Sequence, residues 1–344
     1  MSSAAKKLPL WIAPPVPAVV VAGTVASPGS VRVSLTDRCD LACVYCRPSR
    51  RDGYLDSRLD ETGWRSMLDG LAAAGVRRVR FTGGEPLLYP ALEAVVAHAV
   101  RLGFDDVALT TNATRLAARA TALRAAGLQR VTVSLDSLDP ARFARLTRGG
   151  RLAEVLAGIE AAVAAGFDEV KLNCVVLRGE NDDEIEAIAR FAWARGIVPR
   201  FLEVMAVGEG ARLVTDHLIT VAQMRAQLAS LLDPAADLTG ESNRGPARYL
   251  PSRHDARLRI GFISGTSDTF CAGCDRLRVA ADGFVRPCLS KNDGASARLA
   301  AEAGDARAIA AAVGRAWELK PDGLTWKGCT EETARDVSMR AVGG

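Results

Sequence analysis

Histidine, a large net charge and long uninterrupted apolar runs are what this sequence has least of. Its 344 residues include three histidines and carry a net charge of +4. Pro14, Pro15 and Pro17 interrupt the most apolar segment, so no run approaches the ~20 residues of a membrane span. The modest charge gives no indication of nucleic-acid binding. We therefore expect neither a membrane nor a nucleic acid as partner, and a cytoplasmic location.

The overall composition is that of a globular protein. Apolar residues make up 49% and charged residues 24% of the chain, which argues against extensive disorder. The length suffices for one large α/β barrel or for two ordinary domains. Residues 1–27 combine a basic start with a proline-interrupted apolar stretch. We interpret them as a flexible N-terminal extension rather than a signal peptide.

Short β-rich runs alternate with alanine-rich amphipathic segments from residue 30 to about residue 206. Repeated strand–helix–strand units predict parallel pairing with right-handed crossovers. Six units are too few for an eight-fold barrel, so we predict a partial, open β/α barrel over residues 28–236. Residues 237–344 are predicted to form a smaller C-terminal domain. In parallel barrels, functional residues cluster at the carboxyl ends of the strands.

The cysteines fall into two compact groups and two single residues. The groups are Cys39, Cys43 and Cys46, and Cys271, Cys274 and Cys288. Such grouping predicts metal binding rather than disulfides. We interpret the remaining two, Cys174 and Cys329, as ordinary structural residues.

Three thiolates suit a 4Fe–4S cluster that has one open iron. The alternative for the first group is a zinc knuckle that lacks its last ligand, but none of the three histidines lies near this loop. The second group is again one ligand short. Two open clusters suggest that one binds a cofactor and the other a substrate.

Basic residues on the predicted strands point to an anionic substrate. They are Arg32, Arg80, Lys171, Arg276 and Arg278. Positions 276 and 278 point the same way if their segment is extended. Arginine gives bidentate contacts to phosphate, so five converging cations would match a triphosphate.

The C-x3-C-x2-C motif with Tyr45 before its last cysteine, followed by FTGGEP at 81–86, resembles the radical S-adenosylmethionine superfamily. The resemblance implies that the open iron of the first cluster holds S-adenosylmethionine, from which the cluster generates a 5′-deoxyadenosyl radical. It also implies that the GGE loop contacts the methionine amino group of this cofactor.

Further motifs resemble the GTP 3′,8-cyclase family, which opens molybdenum cofactor biosynthesis. They include RFTGGEPLL, LTTN, RVTVSLDSLDP, RFLEVM, FC-x2-C-x-RLR and a terminal Gly-Gly. The resemblance implies two 4Fe–4S clusters, GTP as substrate, an electron donor of flavodoxin or ferredoxin type, and a cyclic pyranopterin monophosphate synthase as recipient of the product. We expect a monomer or homodimer. The implied cofactor residues are Tyr45, Gly84, Ser134 and Met205; those for GTP add Thr111 and Leu277 to the five cations, and Gly343 and Gly344 assist from the tail.

The chain departs from the family pattern at Arg47, Tyr89, Ala113 and Asp275. None of these changes removes a cysteine, but Asp275 puts an anion beside the second group. The alternatives are therefore a paralogous enzyme that acts on another nucleotide, a peptide maturase, or a non-enzymatic iron–sulfur carrier or zinc scaffold.

Overall fold

Parallel strands alternate with helices in a computed structural model that describes residues 28–49, 53–240, 245–268, 270–271, 273–321 and 339. The six strands of this repeat are β1 (Ser30–Ser34), β2 (Arg78–Thr82), β3 (Asp106–Thr111), β4 (Arg130–Ser134), β5 (Glu169–Val176) and β6 (Val198–Glu203). The helices that follow them are α1 (Glu61–Ala73), α2 (Leu92–Arg101), α3 (Leu116–Ala125), α4 (Pro140–Leu146), α5 (Leu152–Ala164), α6 (Ile185–Trp193), α7 (Gly210–His217) and α8 (Val221–Gln227). The predicted partial barrel is confirmed in its strand–helix alternation.

Side-chain alternation along β1 shows how each strand divides its two faces. Val31 and Val33 are fully buried against the outer helices, whereas Arg32 faces the inside of the barrel. Five of the helices are followed by a glycine with positive φ before the next strand, at Gly75, Gly103, Gly127, Gly166 and Gly196. This conformation stops a helix at little cost only when glycine occupies it. The hydrophobic core therefore lies between the sheet and the helices, and the polar residues face inward.

The C-terminal strands extend the sheet at both ends. They are β7 (Thr239–Gly240), β8 (Arg248–Pro251), β9 (Arg259–Ile263), β10 (Arg276–Val279), β11 (Phe284–Arg286) and β12 (Ala295–Ser296), and α9 (Arg298–Glu302) and α10 (Ala306–Glu318) follow them. β10 pairs in parallel with β1, and β9 pairs in parallel with β6. The parallel run thus has eight strands rather than six. Across the described residues, the edge strands β12 and β7 do not pair with each other, so the sheet stays open.

The predicted domain boundary at residues 236/237 stays a prediction, because strands from both sides of it share one sheet. Close helix packing also joins the two parts. A Cβ atom at Gly70 of α1 would lie 2.3 Å from Ile309 of α10. Searching the residues that the structure describes for a membrane-spanning helix, long and apolar enough, yields none.

Candidate active site

One large cavity inside the barrel is lined by most of the residues predicted to bind cofactor or substrate. These are Cys39, Cys43, Tyr45, Cys46, Gly84, Ser134 and Met205 near the carboxyl ends of the strands, together with Thr111 and Arg32, Arg80, Arg276 and Arg278. Cys271, Cys274 and Cys288 line a smaller adjoining cavity. The two cavities share Phe270, Arg276, Arg278 and Leu289, so the structure brings both cysteine groups to one connected space.

The first cysteine group lies on a loop that follows β1 and is fixed by main-chain hydrogen bonds. The amides of Ala42 and Val44 donate to the carbonyl oxygens of Thr147 and Leu146, at 3.1 and 3.0 Å. The loop also packs closely on the GGE turn, since a Cβ atom at Gly84 would lie 2.3 Å from a neighbouring carbonyl oxygen. Glycine at this position is therefore required by the close approach of two loops.

Buried carboxyl groups surround this first group. The hydroxyl of Tyr45 donates to Oδ2 of Asp136 at 2.6 Å, and the amide of Val175 donates to its Oδ1 at 2.9 Å. Burial raises the pKa of Asp136 to about 6. It also raises the pKa of the Cys43 thiol, and the charge of Asp136 adds to that effect. A cationic ligand would relieve this surplus of negative charge.

Glu85 is a site residue that the sequence motifs did not single out beyond its place in GGEP. Its carboxylate accepts hydrogen bonds from the Thr111 hydroxyl and the Asn112 amide, both at 2.7 Å. Burial raises the pKa of Glu85 to about 7. The carboxylate thus ties the GGE turn to the loop after β3. The hydroxyl of Thr111, a predicted GTP contact, is used in this internal bond.

The first group fits a cluster better than a single metal ion. Cys39, Cys43 and Cys46 are partly exposed toward the cavity. Within the described residues, no three His, Cys, Asp or Glu side chains are arranged to hold one ion, as a zinc knuckle requires. Because burial raises the pKa of Cys39 and Cys43, a cluster would displace their protons on binding.

Arginine side chains from neighbouring strands form one layer inside the barrel. Arg32 on β1 is in register with Arg278 on β10 and Arg80 on β2. Residues 276–279 form a strand, so the prediction of an extended segment there is confirmed. Burial first, and then the charges of Arg200 and Arg130, lower the pKa of Arg80 to about 9. Burial and then Arg276 lower the pKa of Arg278 to about 10.

Both groups remain protonated at neutral pH, so several like charges face one space. Arg80 donates to neutral oxygens only in its printed contacts, such as the Thr132 hydroxyl at 3.2 Å. Arg200, on β6, also lines the cavity and donates to the side chain of Asn173 at 2.8 Å. Mutual repulsion and burial favour an anion between these guanidinium groups.

Two residues predicted to contact GTP lie elsewhere. Leu277 alternates with Arg276 and Arg278 on β10 and is fully buried in the hydrophobic core. The ammonium group of Lys171 faces the barrel interior but lies 3.0 Å from Glu169 and 3.1 Å from the Tyr249 hydroxyl. Neither residue is among the described residues that line the large cavity. Strand parity explains Leu277, and a carboxylate partner on the same strand explains Lys171.

The second cysteine group lies at the opposite edge of the sheet from the first. Cys271 and Cys274 come just before β10, and β10 runs parallel to β1. The first group follows β1, so the length of one strand separates the two edges. Burial opposes ionisation of Cys274, but the charges of Arg276 and Lys320 outweigh it and lower the pKa of this thiol to about 7. The second group therefore lies in cationic surroundings.

Of the four departures from the family pattern, only Asp275 lines the cavity. Its carboxylate pairs with Arg78 and accepts a hydrogen bond from the Ser30 hydroxyl at 3.1 Å. Arg47 is buried and donates to the Tyr54 hydroxyl at 2.9 Å. Tyr89 packs partly buried on the core, and Ala113 has a φ of 63°, a conformation that favours glycine.

The structure adds cavity residues that the sequence gave no reason to select. Arg78, Arg130 and Arg200 are ordinary strand arginines in sequence, and only their shared inward face brings them together. Met339 also lines the cavity, where it packs with Met205 and Leu289. The predicted tail residues Gly343 and Gly344 lie outside the described residues, as do Cys329 and the N-terminal extension 1–27.

Comparison with known proteins gives first the class and then the family. Residues 33–192 match the model of the radical SAM superfamily, and residues 197–326 match that of the Molybdenum Cofactor Synthesis C family. The barrel resembles Streptococcus suis SuiB bound to S-adenosylmethionine, with a TM-score of 0.58 and 16% identity over 77% of this chain and 61% of that chain. This likeness concerns the fold alone.

The chain belongs to the GTP 3′,8-cyclase family. It is 40% identical to the GTP 3′,8-cyclase of Pelotomaculum thermopropionicum over 85% of this chain and 91% of the relative. It is 44% identical to that of Heliobacterium modesticaldum over 75% of this chain and 80% of the relative. The family and fold predicted from the motifs are confirmed.

Proposed function

We propose that this protein converts GTP into (8S)-3′,8-cyclo-7,8-dihydroguanosine 5′-triphosphate, the first step of molybdenum cofactor biosynthesis. One observation carries the proposal beyond family membership. Two groups of three cysteines, each one short of a full cluster ligand set, lie at opposite edges of a connected cavity lined by arginines. A non-enzymatic carrier or a zinc scaffold has no need of such a cavity between its metal sites.

The carboxyl edge of the barrel is suited to the cofactor. Cys39, Cys43 and Cys46 would hold the first 4Fe–4S cluster, and the remaining iron would be open to a ligand from the cavity. Tyr45, Gly84, Ser134 and Met205 surround that position. The bound cluster and S-adenosylmethionine supply the chemistry, a 5′-deoxyadenosyl radical that removes hydrogen from the ribose 3′ carbon.

Charge favours the same assignment. S-adenosylmethionine brings a sulfonium and an ammonium group, and this edge carries the buried carboxyl groups of Glu85 and Asp136. Glu85 also holds the GGE turn against the loop after β3. The residues of this edge would thus bind a cation and keep the two loops around it in a fixed arrangement.

The opposite edge is suited to GTP. Arg32, Arg80, Arg276 and Arg278 face the cavity between the two cysteine groups, where a triphosphate with about four negative charges would offset their repulsion. Cys271, Cys274 and Cys288 would hold the second 4Fe–4S cluster, whose open iron can bind the guanine base. Lys171 lies one layer away on β5 and would act through its contacts with Glu169 and Tyr249.

Positioning is what the protein contributes. The five residues of β1 span about 17 Å between the two edges. A nucleotide held at its base and its phosphates would present its ribose toward the cofactor in one orientation. Holding reacting groups in a productive geometry lowers a barrier by several kcal/mol. The main-chain bonds of the cysteine loop and the arginine register fix the two halves of that geometry.

The setting that we propose follows from this chemistry. A low-potential donor of flavodoxin or ferredoxin type would reduce the first cluster, and a cyclic pyranopterin monophosphate synthase would receive the product. We propose a cytoplasmic monomer or homodimer. Asp275 does not favour a different nucleotide, because its charge is offset by Arg78.

The test is an anaerobic assay of reconstituted protein with S-adenosylmethionine and dithionite, with and without GTP. We expect 5′-deoxyadenosine in both reactions and a cyclised nucleotide with the mass of GTP only when GTP is present. ATP serves as the nucleotide control and should yield no cyclised product. Protein that contains its clusters but forms 5′-deoxyadenosine without any nucleotide product would contradict the proposal.

A further inference from the structure

Lys320 reaches into the second cysteine site from a separate part of the chain. It lies two residues after α10 and lines the same small cavity as Cys271, Cys274 and Cys288. No sequence motif marked this lysine. Its ammonium nitrogen lies 3.6 Å from the sulfur of Cys274 and 2.8 Å from the carbonyl oxygen of Pro287, and it also donates to the carbonyl oxygen of Arg276.

These three acceptors account for all three N–H bonds of an ammonium group. Two of them are main-chain carbonyls on either side of the hairpin formed by β10 and β11. β10 and β11 are antiparallel, with Arg278 opposite Arg286, so Arg276 and Pro287 lie at the same open end of the hairpin. Lys320 therefore joins the segment that carries Cys274 to the segment that carries Cys288.

The third contact adds charge where a cluster would need it. A cluster bound by three thiolates is anionic, and hydrogen bonds to its sulfur atoms together with nearby charge set its potential. Lys320 supplies one positive charge and one hydrogen bond at the same sulfur. A side chain that served only to end α10 would need neither the sulfur nor the two strand carbonyls.

We propose that Lys320 is a positioning residue for the second cluster. It holds the Cys274 and Cys288 segments at a fixed separation and stabilises the negative charge of the bound cluster through the Cys274 sulfur. This inference rests on the proposed function, in which the second group binds a 4Fe–4S cluster. It adds a residue outside the cysteine motif to that site.

The test uses a Cys39→Ser/Cys43→Ser/Cys46→Ser background, in which all bound iron reports on the second site. In this background we compare Lys320→Met, Lys320→Gln and Lys320→Arg. Reconstituted Lys320→Met should lose its iron to a chelator about tenfold faster than the background, as expected when a partner of a metal ligand is removed. Its reduction potential, followed by EPR during a redox titration, should shift to more negative values, and Lys320→Arg should restore part of that shift.

Lys291→Met is the matched control, because it removes a lysine three residues from Cys288. It should keep the background rate of iron loss. Lys320→Gln keeps N–H donors without the charge, so the thermal melt of the background should be preserved while the potential still falls. Unchanged iron loss and potential in both Lys320→Met and Lys320→Gln would overturn the inference. A background protein that binds no iron would instead overturn the proposed function, and this inference with it.

Discussion

The two cysteine groups are alike in sequence, each a set of three, but the fold gives them opposite surroundings. At the carboxyl edge, burial raises the pKa of Cys39 and Cys43, and the carboxyl groups of Glu85 and Asp136 add to this effect. At the other edge, Arg276 and Lys320 lower the pKa of Cys274 to about 7 against the effect of burial. One end of the cavity is acidic and the other is basic.

The difference shows how one barrel could bind two small molecules without confusing them. A ligand with a sulfonium and an ammonium group is favoured at the acidic edge and opposed at the basic edge by the arginine layer. A triphosphate is favoured and opposed in the reverse order. Charge would therefore assign each ligand to its own cysteine group before any detailed contact forms.

The largest expected effect is the division of the chemistry between the two groups. A Cys39→Ser/Cys43→Ser/Cys46→Ser variant should form no 5′-deoxyadenosine at all. A Cys271→Ser/Cys274→Ser/Cys288→Ser variant should still form it slowly but should make no cyclised nucleotide. Iron analysis should give about eight irons in the parent and about four in each variant, since each 4Fe–4S cluster holds four.

Product analysis by mass spectrometry under anaerobic conditions measures both activities in one sample. A Cys174→Ser variant is the matched control, because this cysteine is fully buried against the helices and belongs to neither group. Full cyclisation by the variant that lacks the second group would remove the substrate-binding role from that edge.

The next effect concerns the tail, which would meet the cavity between the two groups. Met339 lines that cavity, five residues before Gly344. Two glycines can pass where a side chain would clash. Deleting Gly343 and Gly344 should therefore leave both clusters and S-adenosylmethionine binding intact, while GTP cyclisation falls by about 10²-fold through lost positioning.

The measurement is the rate of cyclisation beside iron content and cofactor affinity. A synthetic peptide of the final residues should restore part of the lost rate. A truncated enzyme that cyclises GTP at the full rate would show that the tail is an ordinary chain end.

The sequence predicted the acidic edge better than the basic one, for a physical reason. The first group, the GGE turn and the loop after β3 each follow a strand directly, so the parallel-barrel rule places them together. The second group precedes a strand that joins the sheet beside β1 only through long-range pairing. No local pattern reveals that edge.

Individual residues show the same limit. Asp275 pairs with Arg78, 197 positions away in the chain, and Lys320 contacts Cys274 across 46 positions. Such partners depend on the fold as a whole. Leu277 sits within the conspicuous RLR motif, but the two-residue period of an extended strand turns it toward the core.

A smaller effect tests whether the basic edge recognises the phosphates. Arg276→Ala or Arg278→Ala should each weaken GTP binding by about 1.5–3 kcal/mol, the size of a charged hydrogen bond. Guanosine binding should change far less, because guanosine has no phosphates. Isothermal titration of both ligands gives the two losses, and equal losses would show that these arginines do not contact the phosphates.

Arg315→Ala is the control for this test, since Arg315 is an exposed residue on α10. It should alter neither binding constant. The thermal midpoint of Arg276→Ala should remain close to that of the parent, which would separate a binding role from a structural one.

The smallest effect is a difference in thiol reactivity in the protein without clusters. A thiol with a pKa of about 7 is about half ionised at pH 7, so Cys274 should react readily with iodoacetamide there. Cys43 should react slowly, because its raised pKa keeps it protonated. Lowering the pH from 8 to 6 passes through the pKa of Cys274 and should slow its alkylation about tenfold. Peptide mapping by mass spectrometry reads both sites, and faster alkylation of Cys43 would contradict the electrostatic difference between the edges.

The most direct test of the two-ended cavity is equilibrium dialysis of each ligand against the two triple-cysteine variants. The variant that keeps only Cys271, Cys274 and Cys288 should bind GTP and lose S-adenosylmethionine. The variant that keeps only Cys39, Cys43 and Cys46 should bind S-adenosylmethionine, with its affinity for GTP weakened. If both ligands depended on the same cysteine group, the assignment of cofactor to the acidic edge and GTP to the basic edge would be wrong.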